Sequence, residues 1–317
     1  MNTPLVEMIA AAERQLRPHV RETMLVHSPA LSARAAADVW LKCENLQVTG
    51  SFKVRGATNR LLNLPDEARR RGVVAASSGN HGVAVAHAGK ALGIPVTVYV
   101  PDFASPVKVG AMERLGATVV RFGTDGLDTE LEARRVAAGR GQEYLSPYND
   151  LTVVAGQGTI GVELRRQLAD FAYVVIAVGG GGLIAGVAAD LKDHRPGIRV
   201  IGAQPINSRV MAESVRAGHV LELPSEPTLS DGTAGGVEID SITFPYCRDL
   251  VDEWIEVPEA DIARSMRQTI EEEHMLIEGA AAVAVAVVAE RRTTFTGPVA
   301  VVLCGANVSA ERVRSVL

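Results

Sequence analysis

The chain has 317 residues, of which 47% are hydrophobic, 22% charged and 4% aromatic; at roughly 150 residues per domain it has room for about two domains. This composition excludes a disordered chain and argues against an aromatic nucleic-acid platform. Its 32 basic and 37 acidic residues give a net charge of −5, with no basic surplus to neutralise phosphate backbones, so neither DNA nor RNA is an expected partner.

The first 20 residues carry Glu7 and Glu13 among apolar side chains and read as an amphipathic helix, not a signal peptide. Apolar strands follow at VVAAS (73–77), VTVYV (96–100) and TVVRF (118–122), separated by helical stretches over 82–93 and 127–139. A turn-rich SPYND (146–150) leads into a helix over 154–170, then strands YVVIAV (173–178) and RVIGA (199–203), a helix over 262–274, and a last strand VAVVLC (299–304). Strands that are apolar throughout, alternating with helices, predict a parallel sheet covered on both faces. The fold class is therefore α/β: two three-layer domains with mostly parallel sheets. A large one spans 1–71 and 150–317, a small inserted one spans 72–149, and ligands collect in the cleft between them at the carboxyl ends of the strands. The longest apolar run, Ala280 to Ala289, is about half of the roughly 20 residues a membrane span needs, so no membrane partner is expected. Cys43, Cys247 and Cys304 form no CxxC pair and fit a reduced, cytoplasmic setting.

Three joints between strand and helix could carry chemistry. At Gly179, Gly180, Gly181, Gly182 and Leu183, four glycines follow a buried strand and open a helix, so free backbone N–H groups converge at the helix's positive end. No Gly-Lys-Ser/Thr follows, and no acidic residue ends the next strand, which disfavours a nucleoside triphosphate and a dinucleotide. A monophosphate-bearing ligand and a tight turn that binds nothing remain. In Gly50-Ser51-Phe52-Lys53 the chain starts a helix, placing one of only five lysines in the first turn, where the macrodipole lowers an amine pKa toward that of a Schiff-base lysine; a surface lysine is the plain alternative. Ser77, Ser78, Gly79, Asn80 and His81 form a third joint, whose N–H groups suit a carboxylate and whose Asn80 amide suits a ring oxygen, or which simply caps a turn. The cluster Glu271 to His274 lacks metal-ligand spacing and reads as a solvated helix end, and no metal is expected.

Taken in order, GSFKVRGA, SSGNHG, VGGGGLIAG, EGAAAV and CGAN resemble the serine/threonine dehydratase family of pyridoxal-phosphate enzymes, the fold type of tryptophan synthase β, from about Val20 through Asn307. The resemblance implies pyridoxal 5'-phosphate as cofactor, with Lys53 as its Schiff-base lysine. Gly179 to Gly182 with Leu183 would cradle the phosphate, Asn80 would bond the ring hydroxyl, Phe52 would pack against the ring, and Glu278 would lie near its edge. Cys304 would face the pyridine nitrogen, and a neutral thiol there leaves the ring largely unprotonated, which favours prompt loss of a β-leaving group.

The implied reaction is β-elimination from a 3-hydroxy amino acid, L-threonine or L-serine before others. Its carboxylate would sit on Ser77, Ser78, Gly79, Asn80 and His81, and the products would be a 2-oxo acid and ammonia. Ser78 keeps open a racemase of the same fold, since racemases of this family use a serine there as a second base opposite Lys53. Gln204 and Val210 stand where some relatives hold a divalent cation with acids. Dehydration of 3-hydroxyaspartate, phenylserine or a hydroxyectoine breakdown product is a further alternative. A non-catalytic protein that stores pyridoxal phosphate would keep the glycine nest without needing the Lys53 amine. Relatives are commonly homodimers, and the chain is expected to be one.

Overall fold

The computed structural model describes residues 3–317. Its strands are β1 (Leu25–His27), β2 (Val39–Lys42), β3 (Val73–Ala76), β4 (Val96–Val100), β5 (Thr118–Arg121), β6 (Glu143–Tyr144), β7 (Tyr173–Ala177), β8 (Arg199–Pro205), β9 (Glu253–Val257) and β10 (Val299–Val302). They form a six-stranded sheet, β1-β2-β10-β7-β8-β9, and a four-stranded sheet, β5-β4-β3-β6. Every pairing is parallel except the β1–β2 edge, so the predicted α/β class with mostly parallel sheets is the observed one.

All six predicted strands occur, within two residues at each end. β7 and β10 are buried along their whole length, as central strands between helices must be. The third, TVVRF, departs from that pattern: β5 is the edge of the small sheet, and its ends are exposed. β1, β2, β6 and β9 escape sequence reading because they are short or carry charges. β2 ends on Lys42, and β9 begins on Glu253. The apolar run near 280–289 is the helix Gly279–Ala289, buried almost throughout against the large sheet. Among the described residues no helix is long and apolar enough to cross a membrane.

Three helices, Lys53–Leu62, Leu151–Gln167 and Gly182–His194, pack where glycine removes the side chain between them. A Cβ on Gly186 would fall 2.4 Å from the Val154 carbonyl oxygen, and one on Gly156 would fall 2.7 Å from the Arg55 carbonyl oxygen. The Asp150 carboxylate starts the middle helix by accepting from the Thr152 and Val153 N–H groups. Leu5, Ile9, Leu61, Val73, Val96, Val154 and Ala185 share one apolar cluster, a seam that joins the small sheet to the helices beside the large one.

The order of the strands fixes where a site can form. The chain leaves β7 toward β8, while β10 lies on the other side of β7; it leaves β3 toward β4, while β6 lies on the other side of β3. Each arrangement opens a crevice beyond the carboxyl ends of the strands. The glycine loop follows β7, Cys304 follows β10, Ser77 follows β3, and Pro147 and Tyr148 follow β6.

Candidate active site

The two crevices share one cavity of about 600 Å³. All the predicted site residues line it: Phe52, Lys53, Ser77 to His81, Gly179 to Leu183, Glu278 and Cys304. Residues scattered over more than 250 positions of sequence are thus brought to a single surface.

Lys53 is the first residue of its helix. The preceding Phe52 N–H donates to the Cys304 carbonyl oxygen at 3.1 Å, and Ser51 forms a bridge with Gly305, so the end of β10 holds the start of this helix. The Lys53 amine donates to the Pro147 carbonyl oxygen at 3.0 Å and lies 5.2 Å from the centre of the Phe52 ring. Burial lowers its pKa to about 8, while Cys304 and Glu278 oppose the shift. Desolvation is thus a cause of lowering that the sequence reading, which had only the helix dipole, did not include.

The Cys304 thiol is buried and pushed well above its ordinary range by desolvation, so it is neutral at physiological pH. Glu278 immediately precedes the helix Gly279–Ala289, and its carboxyl is raised to about 7, by burial first and then by Asp231. It accepts from the Asn80 amide at 2.7 Å and from the Asn307 N–H at 3.1 Å. His81 is buried, and its Nε2 donates to the Leu145 carbonyl oxygen at 2.8 Å. Burial, helped by the Lys53 charge, lowers its pKa to about 3, so the ring is neutral and its Nε2 proton engaged. Ser77 Oγ accepts from the Gly79 N–H at 3.1 Å, and Ser78 lies half-buried on the cavity wall.

The glycine loop is more constrained than a bare nest. Gly181 has φ 83°, a left-handed value that disfavours side chains. A Cβ on Gly180 would fall 2.4 Å from Tyr148 Cδ1, and one on Gly179 3.1 Å from Thr233 Cα. Thr243 Oγ1 donates to the Gly180 carbonyl oxygen at 2.6 Å, so that carbonyl already has a protein partner. Tyr148 was invisible to sequence reading, which treated SPYND only as a turn; its ring lies on Gly180, and its hydroxyl accepts from the Glu238 N–H at 3.0 Å. Also missed was the pair of Lys108, on the helix Pro106–Arg114, and Asp231, which both line the cavity and lie 3.8 Å apart. Among the described residues no group of three or more His, Cys, Asp or Glu side chains gathers to hold a metal. The Gln204 amide donates to the Val178 carbonyl oxygen at 3.0 Å and accepts from the Ala212 N–H at 2.7 Å, so both of its ends are engaged.

These features fit a phosphorylated carbonyl cofactor. The first-turn N–H groups of Gly182–His194 have no partner inside their helix and suit a phosphate. A primary amine with lowered pKa suits a carbonyl. A cavity walled by donors for an anion and by a condensing amine is that of a carbonyl-cofactor enzyme of the α/β type. The chain belongs to the family of pyridoxal-phosphate dependent enzymes, which it matches over residues 16–305, and its cofactor is pyridoxal phosphate. It is 39% identical over 314 residues to an L-threonine ammonia-lyase of Geobacter sulfurreducens, covering 98% of this chain and 77% of that one. The processed form of threonine deaminase isoform 2 from Solanum lycopersicum superposes with a TM-score of 0.93 at 32% identity, covering 100% of this chain and 93% of that one. Maize serine racemase superposes with a TM-score of 0.93 at 31% identity, covering 98% and 95%.

Proposed function

We propose that this enzyme is an L-threonine ammonia-lyase that also accepts L-serine, a carbon–oxygen lyase releasing a 2-oxo acid and ammonia. The observation that carries the reading is one cavity holding an amine of lowered pKa, a glycine cradle and a protonated thiol at the end of β10. The ammonia-lyase of Geobacter sulfurreducens supports the substrate class.

When bound, pyridoxal phosphate supplies an electron sink that lets the substrate Cα–H bond break. The N–H groups of Gly179 to Gly182 and Leu183 would hold its phosphate, Asn80 its ring oxygen, and Phe52 its ring. Ser77, Ser78, Gly79, Asn80 and the backbone of His81 would hold the substrate carboxylate; the neutral His81 ring adds no charge there and takes no proton. Lys53 takes the α-proton, a task suited to an amine that is substantially neutral near pH 8. The neutral Cys304 thiol would offer the cofactor's ring nitrogen no counter-charge, a setting that would favour elimination of the β-hydroxyl over slower alternatives. Elimination removes water from the amino acid, and hydrolysis of the released enamine returns it, which balances threonine against a 2-oxo acid and ammonia.

The same reading makes residues 72–149 a small unit set against the rest of the chain, supported by the four-stranded sheet between Val73 and Tyr144. It puts the enzyme in the cytosol as a homodimer, and the three free, buried cysteines support a reduced compartment. A second reading, racemisation by Lys53 and Ser78, is favoured by the presence of both in the lining of one cavity and by the likeness to maize serine racemase. Incubation with L-threonine and L-serine, scored for 2-oxo acid and for the D-enantiomer, tests both. The expected result is dominant oxo-acid release that vanishes, together with visible cofactor absorbance, in Lys53→Ala. Dominant D-enantiomer, or turnover without Lys53, would overturn the reading.

A further inference from the structure

Asn307 lies exposed at the cavity, three residues beyond Cys304, and ties together three separate parts of the chain. Its side-chain amide donates to the Thr49 carbonyl oxygen at 2.9 Å, on the segment leading to Lys53, and to the Asn80 Oδ1 at 2.6 Å. Its backbone N–H donates to the Glu278 Oε2 at 3.1 Å. The Thr49 carbonyl can only accept, so the nitrogen end of the Asn307 amide must face it. Both hydrogens of that nitrogen are then engaged, and the Asn80 partner must be an oxygen. The Asn80 nitrogen is thereby turned to Glu278 Oε1 at 2.7 Å, with its second hydrogen left for the cavity.

We propose that Asn307 is a positioning residue that selects which end of the Asn80 amide faces the cofactor. The proposal rests on the reading of Asn80 as a contact to the cofactor ring. Glu278 cannot make that selection alone. Its carboxyl, raised to about 7, is present in both protonation states near neutrality and can meet either end of an amide. The Thr49 carbonyl has one polarity at every pH, and Asn307 transmits that polarity to Asn80.

The test uses the apoprotein and its Asn307→Asp and Asn307→Ala variants, with pyridoxal phosphate binding measured by equilibrium dialysis from about pH 4, close to the ordinary aspartate pKa, to about pH 8.5. Since Asn307 is exposed, both variants should fold, and thermal midpoints of the apoproteins check this. At pH 8 the aspartate sets an acceptor against the Asn80 oxygen, and binding should weaken about tenfold or more. The loss in Asn307→Ala should be smaller. As pH falls below 5 toward the ordinary aspartate pKa of about 3.9, the new carboxyl takes up a proton and can donate again, so the deficit of Asn307→Asp relative to Asn307→Ala should close toward about pH 4. A purely structural role would leave the two variants parallel at every pH. Parallel profiles, or wild-type affinity in both variants, overturn the proposal while leaving the function standing. A wild type that takes up no pyridoxal phosphate overturns the function and the proposal together.

Discussion

Lys53 should make the apoprotein less stable than a neutral residue would at the same place. Its amine titrates near 8 in the fold instead of at the usual 10.5, because burial disfavours the ammonium. A displacement of that size corresponds to roughly 3 kcal/mol against the charged form at neutral pH. Lys53 keeps part of its surface on the cavity, which makes this an upper bound. Lys53→Met removes the charge and keeps the length of the chain, but leaves the Pro147 carbonyl without its donor, at a cost of about 1 kcal/mol. The variant apoprotein should therefore be the more stable by about 2 kcal/mol at pH 7. The sign with pH follows from the lowered value: between 8 and 10.5 the unfolded chain binds more protons than the folded one, so wild-type stability rises across that window. The advantage of Lys53→Met should consequently shrink from pH 8 upward, cross zero at about pH 10 and reverse slightly by 10.5, where only the lost donor to Pro147 remains. Denaturant midpoints of the two apoproteins at pH 7, 9 and 10.5 measure it. A variant less stable at pH 7, or an advantage that does not change with pH, would refute the desolvation argument.

Two further substitutions probe the frame of the site. Glu163 accepts from Arg17 and Lys42 at 2.6 Å each and from Arg55 at 2.8 and 2.9 Å, and Lys42 and Arg55 are fully buried. Glu163→Gln leaves those cations short of a counter-charge and should lower unfolding stability by about 3–5 kcal/mol; a loss below 1 kcal/mol would show the cluster to be redundant. Its partners hold the Glu163 carboxyl down to about 2, so its contribution is full above about 4.5 and fades as pH drops toward 2, a limb that Glu163→Gln should lack. Gly180→Ala would drive a methyl into Tyr148 and should cost about 1–3 kcal/mol by overpacking, as well as weakening cofactor uptake. Combined with Tyr148→Ala it should be less than additive, and strict additivity would show that the ring is not what excludes the side chain.

The parts of the fold legible in sequence are those whose cause is local. β7 and β10 announce themselves because a strand covered on both faces has no polar side to show. The glycine quartet is legible because side chains are missing from four consecutive positions, yet its reason was only half read. Gly181 needs a left-handed backbone, whereas Gly179 and Gly180 make room for Thr233 and Tyr148, 54 and 32 positions away. Tyr148 carries no signal of its own, and Asn307 is visible only as the last residue of CGAN, with nothing local to say what it binds. The first looks like part of a turn and the second lies just past the last strand, and each acquires its task from partners that only the tertiary fold delivers. Lys42 shows the same limit in the opposite sense: a lysine ending a strand reads as solvated, but it is buried with Glu163 at 2.6 Å.

Lys53 and Arg55 bring these two kinds of information together. They are two residues apart at the start of one helix, both cationic and both removed from bulk water. Arg55 is met by Glu44 and Glu163, with Thr159 and the Arg21 carbonyl as further acceptors, and its charge is held on. Lys53 is met by a neutral carbonyl, and burial biases it toward losing its proton. The two settings depend on each other. The guanidinium anchors the first turn of the helix to the helix Leu151–Gln167 and to the turn at Glu44, so the amine can be left without a carboxylate and still be held in place. A carboxylate beside Lys53 would position it as well but would raise its pKa and remove the free amine on which the proposed function rests. Placing the ion pairs two residues away, on the far side of the helix start, separates anchoring from reactivity.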